Sequence, residues 1–244
     1  MKQHSLFLAV LLAATPALAQ VDCNQGMEPI DSTAESRLSA NEFVQIAAAK
    51  EQTFVKAFAT YGYIIDLTVQ TVQGDTVDGE FHQVTTFGFD ASGTRRAVVT
   101  TGPVNTLSRL TLSDKDINGF NDMLPFALTP SNLADLDVVY SGRQKMGEIN
   151  TSVFDALARD SPAAPSPRLQ ARAWVHPRGN VIIKTCSRGR TSPIAQLRYD
   201  SMRQEVGGEY WFPALLRADE EAEIGGAKVH VRVTVKYSDY QAHP

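Results

Sequence analysis

Val229-His230-Val231-Arg232-Val233-Thr234-Val235-Lys236-Tyr237 puts an apolar side chain at every second position, with His230, Arg232, Thr234 and Lys236 between them. A period of two belongs to a β-strand with one dry face and one wet face. Working back from this strand, residues 169–176, 181–186, 194–206 and 210–217 repeat the pattern, with Pro177-Arg178-Gly179-Asn180 and Gly207-Gly208 as the turns. The stretch from Arg168 to Tyr240 is therefore a meander of antiparallel strands. What its dry face serves, core packing or an apolar guest, is the functional question.

Further upstream, Ser39-Ala40-Asn41-Glu42 is a capping box that opens a helix running to about residue 60. Phe43, Ile46, Ala47, Phe54 and Phe58 give that helix a single apolar stripe, so it must lie on something. At residue 61 the period changes to two. Tyr63, Ile65, Leu67 and Val69 begin a second meander that continues through 81–89, 95–101 and 107–112, punctuated by turns at 74–79 and 90–93. Ser113-Asp114 caps a short helical stretch holding Ile117 and Phe120, and Thr129-Pro130 starts another. Between them, the apolar residues 123–128 form either a cover over the sheet or an ordinary packed connection. Strands resume at 138–145 and 151–157, and a Pro-rich surface loop spans 161–167.

Residues 1–19 have the form of a secretory signal peptide. Lys2 supplies the positive start, residues 6–12 are an apolar run too short to span a bilayer, and Ala17-Leu18-Ala19 is the cleavage motif. Cys23 lacks the small residues before it that a lipid-modified cysteine needs. Export to the periplasm or beyond is expected, with 20–244 as a single domain and no membrane helix after the leader. Lys and Arg number 23 against 27 Asp and Glu, a formal charge of −4, or −5 once Lys2 leaves with the leader. That balance argues against a nucleic-acid partner. Cys23 and Cys186 are the only cysteines; in an oxidising compartment they either pair, closing a loop worth on the order of 4–5 kcal/mol, or stay as a terminal thiol and a buried one.

The run Tyr140-Ser141-Gly142-Arg143-Gln144-Lys145-Met146-Gly147, then Val153-Phe154, Trp174-Val175 and Val181-Ile182-Ile183-Lys184, resembles the periplasmic lipoprotein-carrier (LolA-like) superfamily and outer-membrane lipoprotein-sorting proteins. The closing pieces, Gln204-Glu205-Val206, Tyr210-Trp211-Phe212-Pro213 and Val229 through Tyr240, are similar to a branch of exported proteins in that superfamily. The resemblance covers most of the mature chain and rests on hairpin motifs, not catalytic ones. It implies a mainly β (α+β) fold: an open antiparallel half-barrel whose concave face is covered by the N-terminal amphipathic helix and short mid-chain helices. It also implies lipid or lipoprotein acyl chains as cargo, with envelope proteins as partners of some members.

An acyl-binding groove needs a water-excluded apolar surface, since each buried CH₂ contributes about 0.8 kcal/mol. The candidate faces are Leu169, Ala171, Ala173 and Val175; Leu197 and Tyr199; Phe212 and Leu216; and Val231 and Val233 of the valine row. The same residues equally suit a solid core. Trp174 and Trp211 fall out of phase with these rows, which places them against a helix or at a rim. Arg188-Gly189-Arg190 is a solvated hairpin tip or a site for an anionic head group. Asp219-Glu220-Glu221-Ala222-Glu223 is a solvated turn, without the ligand spacing of a calcium loop. The histidines are scattered, so no metal is expected, and no cofactor either. No G-x-S-x-G, H-E-x-x-H, C-x-x-C, phosphate-loop or dinucleotide motif occurs, so the reading is non-catalytic. The expected function is an exported protein that holds acyl chains, the alternative an envelope interaction or sensor module of the same fold.

Overall fold

The computed structural model describes residues 23, 24, 27–36, 38–121, 128, 133, 136–158, 169–188, 194 and 197–243, with side chains at all of these except 158, 169 and 170. Ser39 is the N-cap of helix α1 (Ala40–Phe58): its hydroxyl accepts from the Glu42 amide, and the Glu42 carboxylate accepts from the Ser39 amide at 2.8 Å. The reciprocal pair satisfies amide donors that a helix start leaves orphaned. The stripe that α1 buries holds Phe43, Ala47, Phe54 and Phe58 as expected and Ala48 besides, while Ile46 is only half-buried. It also holds a residue that no apolar pattern announces, Glu51.

Strands β1 (Tyr61–Gln73), β2 (Thr76–Phe89), β3 (Arg95–Asn105), β4 (Leu136–Met146), β5 (Ile149–Ala158), β6 (Leu169–His176), β7 (Val181–Arg188), β8 (Arg198–Val206), β9 (Tyr210–Ile224) and β10 (Ala227–Ala242) form one antiparallel sheet. Their order is β3-β2-β1-β10-β9-β8-β7-β6-β5-β4. All neighbours are consecutive in the chain except β1 and β10, whose pairing joins the two meanders. Leu67 stands opposite Val235, Val69 opposite Val233 and Thr71 opposite Val231, so the valine row meets the apolar row of β1 on one face. β3 and β4 are the two edges and do not meet. The sheet is thus an open half-barrel, with α1 and helix α2 (Asp114–Asn121) on its concave side.

The concave face carries two apolar clusters. The larger takes Ile65, Leu67, Val69, Phe81 and Phe87 from β1 and β2, the inward rows of β8, β9 and β10, Phe54 and Phe58 of α1, and Phe120 of α2. The smaller takes Phe43 and Ala47 of α1 with Phe154, Ala156, Ala171, Ala173, Val175 and Ile182. Between them lies a polar seam. Thr185 of β7 bonds Ser201 of β8 at 2.6 Å, and both Nη atoms of Arg203 donate to the Glu51 carboxylate at 2.7 Å. The Arg203 guanidinium also lies 4.4 Å from the centre of the Phe54 ring. Both members of this ion pair are almost wholly buried, so each needs the other to offset its lost hydration.

The opposite, convex face is covered at one end by the chain's own N-terminal segment. Cys23 is bonded to Cys186 of β7 with their Cα atoms 6.0 Å apart, and Cys23, Met27 and Ile30 pack over Val153 and Trp174. Trp174 is out of phase with the concave rows, as expected, yet it meets neither a helix nor a rim. It lies under this segment, with its Nε1 donating to Gln144 Oε1 at 2.6 Å. Trp211 is half-buried near His176, ring centres 5.9 Å apart.

Three local expectations are corrected. Residues 107–112 do not form a strand: after the Thr106 amide bonds Glu80 O, the chain leaves the sheet and lays Leu110 into the large cluster. Strand β8 starts at Arg198, and Ile194 precedes it as a turn residue whose carbonyl accepts from Leu197 N and Tyr199 OH. The acidic run is not a turn. It is the second half of β9, with Glu220 and Ala222 buried and Asp219 and Glu221 on the other face. Residues 1–19, 123–127, 129–130, 161–167 and 189–190 lie outside the described residues; Leu128 is buried in the small cluster. Among the described residues no helix is long and apolar enough to cross a membrane.

Glu51→Ala is expected to lower the unfolding free energy by about 3–5 kcal/mol, because it strands a buried guanidinium. Urea titration of the double variant Glu51→Leu/Arg203→Met should show a smaller loss than that single variant. Reducing the Cys23–Cys186 bridge should lower stability by about 2–5 kcal/mol, seen as a drop in the urea midpoint when a thiol reductant is added.

Candidate functional site

A bulge in β4 sets up the site. Tyr140 pairs with Phe154 on the concave side, the register then slips, and Gly142 faces Val153. Gly142 has a φ of 134°, and a Cβ there would come within 2.4 Å of Asp31 O, so both conformation and space call for glycine. The slip returns Arg143 to the concave side opposite Ser152, where an unbroken period of two would have pointed it away. The bulge thus aims a cation into the hollow.

The cavity it reaches has a volume of about 270 Å³ and opens between the first turn of α1 and strands β4 to β6. Its floor is Leu38, Phe43, Phe154 and Val175; Phe43 and Phe154 stack at 3.7 Å between ring centres. Polar groups stand around it: Arg143, Asn150 and Ser152 on one side, His176 and Asn180 of the β6–β7 turn on the other. Close by, burial pushes the Tyr140 hydroxyl above its usual range, partly offset by the Arg143 charge, and that hydroxyl donates to Ala34 O at 2.9 Å. An apolar floor with a cation, amides, a hydroxyl and an imidazole around it suits an amphiphile: a hydrocarbon part held dry, a polar end held at the rim.

Apart from Leu169, the sequence-derived candidates share the concave face but divide between the clusters. Ala171, Ala173 and Val175 are buried under α1, and of these Val175 lines the cavity. Leu169 begins β6, but its side chain lies outside the described residues. Leu197, Tyr199, Phe212, Leu216, Val231 and Val233 are buried in the large cluster. Phe212 sits there among the rings of Phe54, Phe58, Tyr61, Tyr210 and Tyr240, all centred within 6.0 Å of it. Arg143, Ser152, Asn150 and His176 belong to the site without having been singled out for it. The signal for Arg143 was available in Gly142, which marks a bulge only once its neighbours in space are known.

The other charged features are occupied structurally. Arg188 pairs with Glu220 at 2.9 Å, and Glu220 also accepts from Arg198 N at 2.8 Å, so the acidic run and the basic tip compensate each other. Asp219 takes His230 at 2.5 Å and Arg232 at 3.0 Å on the convex face. There too Lys184 and Arg217 flank the buried Asp200, and Arg172 grips Asp155 with two bonds. Among the described residues no cluster of His, Cys, Asp or Glu is arranged to hold a metal.

No family model matches the sequence, and no curated protein does. Among solved structures, the fold is similar to a DUF1329 family protein from Desulfovibrio piger, with 10% identity, a TM-score of 0.43 and 84% of this chain and 93% of that one covered. It is similar also to a LolA superfamily protein from Nitrosomonas europaea, with 12% identity, a TM-score of 0.35 and coverage of 85% and 94%. Likeness at this level assigns neither a family nor a function.

Burial drives the hydroxyls of Tyr199, Tyr237 and Tyr240 well above their usual range, with neighbouring Glu220, Tyr63 and Tyr237 adding to the effect. A raised folded-state pKa favours the folded form below the unfolded value of about 10 and loses that contribution as pH climbs above it. Stability should accordingly fall above about pH 10. Tyrosinate absorbance should show these three of the seven tyrosines ionising only as the protein unfolds.

Proposed function

We propose that this is an exported, non-catalytic binding protein that holds the acyl part of a lipid or lipoprotein against its concave face, with the polar end of the guest at Arg143. The observation that carries the reading is the cavity beneath the first turn of α1: apolar where a chain would lie, cationic and hydrogen-bonding where a head group would emerge. The leader-like residues 1–19 and the disulfide support action in an oxidising compartment. The large cluster serves as the rigid wall, because its aromatic rings already occupy their own space. Val175 is the candidate best placed to touch a guest; Ala171 and Ala173, small residues beside it in the same cluster, keep the α1 contact close.

The test is binding of dodecanoate and dodecanol by displacement of a fluorescent fatty acid, together with native mass spectrometry of gently purified protein. Ser152→Trp, which fills the cavity from a half-buried position, should abolish binding of both ligands without shifting the melting temperature. Arg143→Gln should weaken dodecanoate about tenfold and leave dodecanol unchanged, the size expected for one charge-assisted bond. If the wild-type protein binds neither ligand and carries no acyl species, the reading is wrong.

A further inference from the structure

The two edges of the sheet differ. β4 is covered by the chain itself: Asp31 and Arg143 exchange both backbone hydrogen bonds, at 2.8 and 3.0 Å, and Gln144 Nε2 donates to Glu28 O at 2.5 Å. The N-terminal segment makes a single β-bridge there, covering the edge at the bulge. β3 has β2 as its one neighbour among the described residues, and every residue from Arg95 to Asn105 is exposed. Its valines are far from the core, Val98 at 58%, Val99 at 49% and Val104 at 54% exposure. A strand of this length with an unpaired row of N–H and C=O groups and β-branched side chains is a template for another strand.

We propose that the outer edge of β3 binds an extended segment of a partner protein by antiparallel strand addition, and that this segment carries carboxylates at its C-terminal end. Given the antiparallel direction, charge decides which end carries the carboxylates. Arg95 and Arg96 stand together at the start of β3, where an antiparallel strand brings its last residues. The Arg96 side chain is 64% exposed even while its Nε donates to Asp90 Oδ2 at 2.8 Å. Arg95 is held in place over the Tyr63 and Phe87 rings, 5.0 Å from each centre, so its charge is presented from an ordered position. Toward the far end the row breaks: Val99 stands opposite Thr85 and Thr101 opposite Val84, with Thr100 as an extra residue, and Pro103 has no N–H to donate, leaving residues 95–99 as the regular pairing stretch. Within this stretch Val98 and Val99 favour β-branched residues opposite them.

A second copy of this chain is the less fitting occupant. Antiparallel self-pairing about Ala97 sets Arg95 against Val99 and Arg96 against Val98, and β3 holds no acidic residue, so neither arginine gains a carboxylate from the paired strand. Edge arginines and a proline guard a strand against its own copies, while leaving it open to a chain of matching charge.

The experiment uses the whole mature protein and a synthetic fluorescein-labelled peptide of about eight residues, alternating Thr and Val and ending in two Asp. A second peptide carries the two Asp at its N-terminal end. Anisotropy should show the first binding about tenfold more tightly than the second, with protection of β3 amides from hydrogen exchange. Arg96→Glu, at an exposed position, should remove that preference and leave dodecanoate binding unchanged. Val99→Pro should weaken both peptides about tenfold through lost ladder bonds; if it unfolds the protein, Arg96→Glu and the exchange pattern decide. Absence of binding, equal affinity for the two peptides, or protection elsewhere than β3 overturns the proposal. So does concentration-dependent dimerisation that protects β3, which would give the edge to a second copy. Failure here leaves the acyl reading standing, because the two readouts use separate surfaces.

Discussion

The rest of the structure depends on the pairing of β10 with β1. Every other strand contact joins neighbours in sequence, so each meander needs only local turns. The β1–β10 ladder joins the beginning of the domain to its end, and closing so long a loop costs conformational entropy that the contact must offset. It does so by burying Val231, Val233 and Val235 against Thr71, Val69 and Leu67, side chains that are almost fully removed from water. At about 1.5–3 kcal/mol for each fully buried valine or leucine, this row is strong enough to fix the register. A slip by one residue would turn His230, Arg232 and Lys236 into the core.

Once the sheet is joined, α1 decides how the concave face is used. A ten-stranded open sheet offers more apolar surface than one helix can cover. α1 covers it obliquely: Phe54 and Phe58 dock into the large cluster, Phe43 and Ala47 into the small one. Glu51 lies where the helix crosses the seam, and its bond to Arg203 gives that crossing one position. Apolar contacts alone tolerate sliding, because Phe and Ala pack acceptably in several placements. A bidentate ion pair with both partners buried does not, since any shift leaves charge without hydration or partner. The seam thus supplies placement where the apolar clusters supply most of the binding energy.

What the sequence made legible was whatever local pattern encodes. The capping box at Ser39, the period of two in β1 and β10, the glycine turns and the disulfide cysteines all depend on near neighbours or on a compartment. The parts that stayed hidden are those settled by distant partners. Glu51 looks like a surface residue until Arg203, 152 positions away, is placed beside it. The acidic run from Asp219 to Glu223 has the composition of a turn. It is a strand because Arg188 and Arg232 neutralise alternate carboxylates on opposite faces, a compensation invisible in the run itself. Arg143 was hidden by parity: one extra residue at Gly142 reverses which face every later side chain of β4 meets, and a periodic pattern carries no mark of where such an insertion falls.

That parity change also bears on how one face is packed solid at one end and leaves a hollow at the other. Phe212 and the rings around it fill the large cluster with rigid, interlocking groups, so removing any of them would leave a cavity costing several kcal/mol. The small cluster instead contains Ala47, Ala156, Ala171 and Ala173, side chains that let the backbones approach closely but cannot fill the space toward the strand ends. The hollow therefore lies beyond the alanines, next to the bulge that turns Arg143 inward. It is separated by the Glu51–Arg203 seam from the aromatic packing that holds the sheet. A guest at that end displaces no ring of the large cluster, so occupancy and folding stability can vary independently. That separation would fail if the bulge were absent, because Arg143 would then point to the convex face and the hollow would be apolar without a polar end.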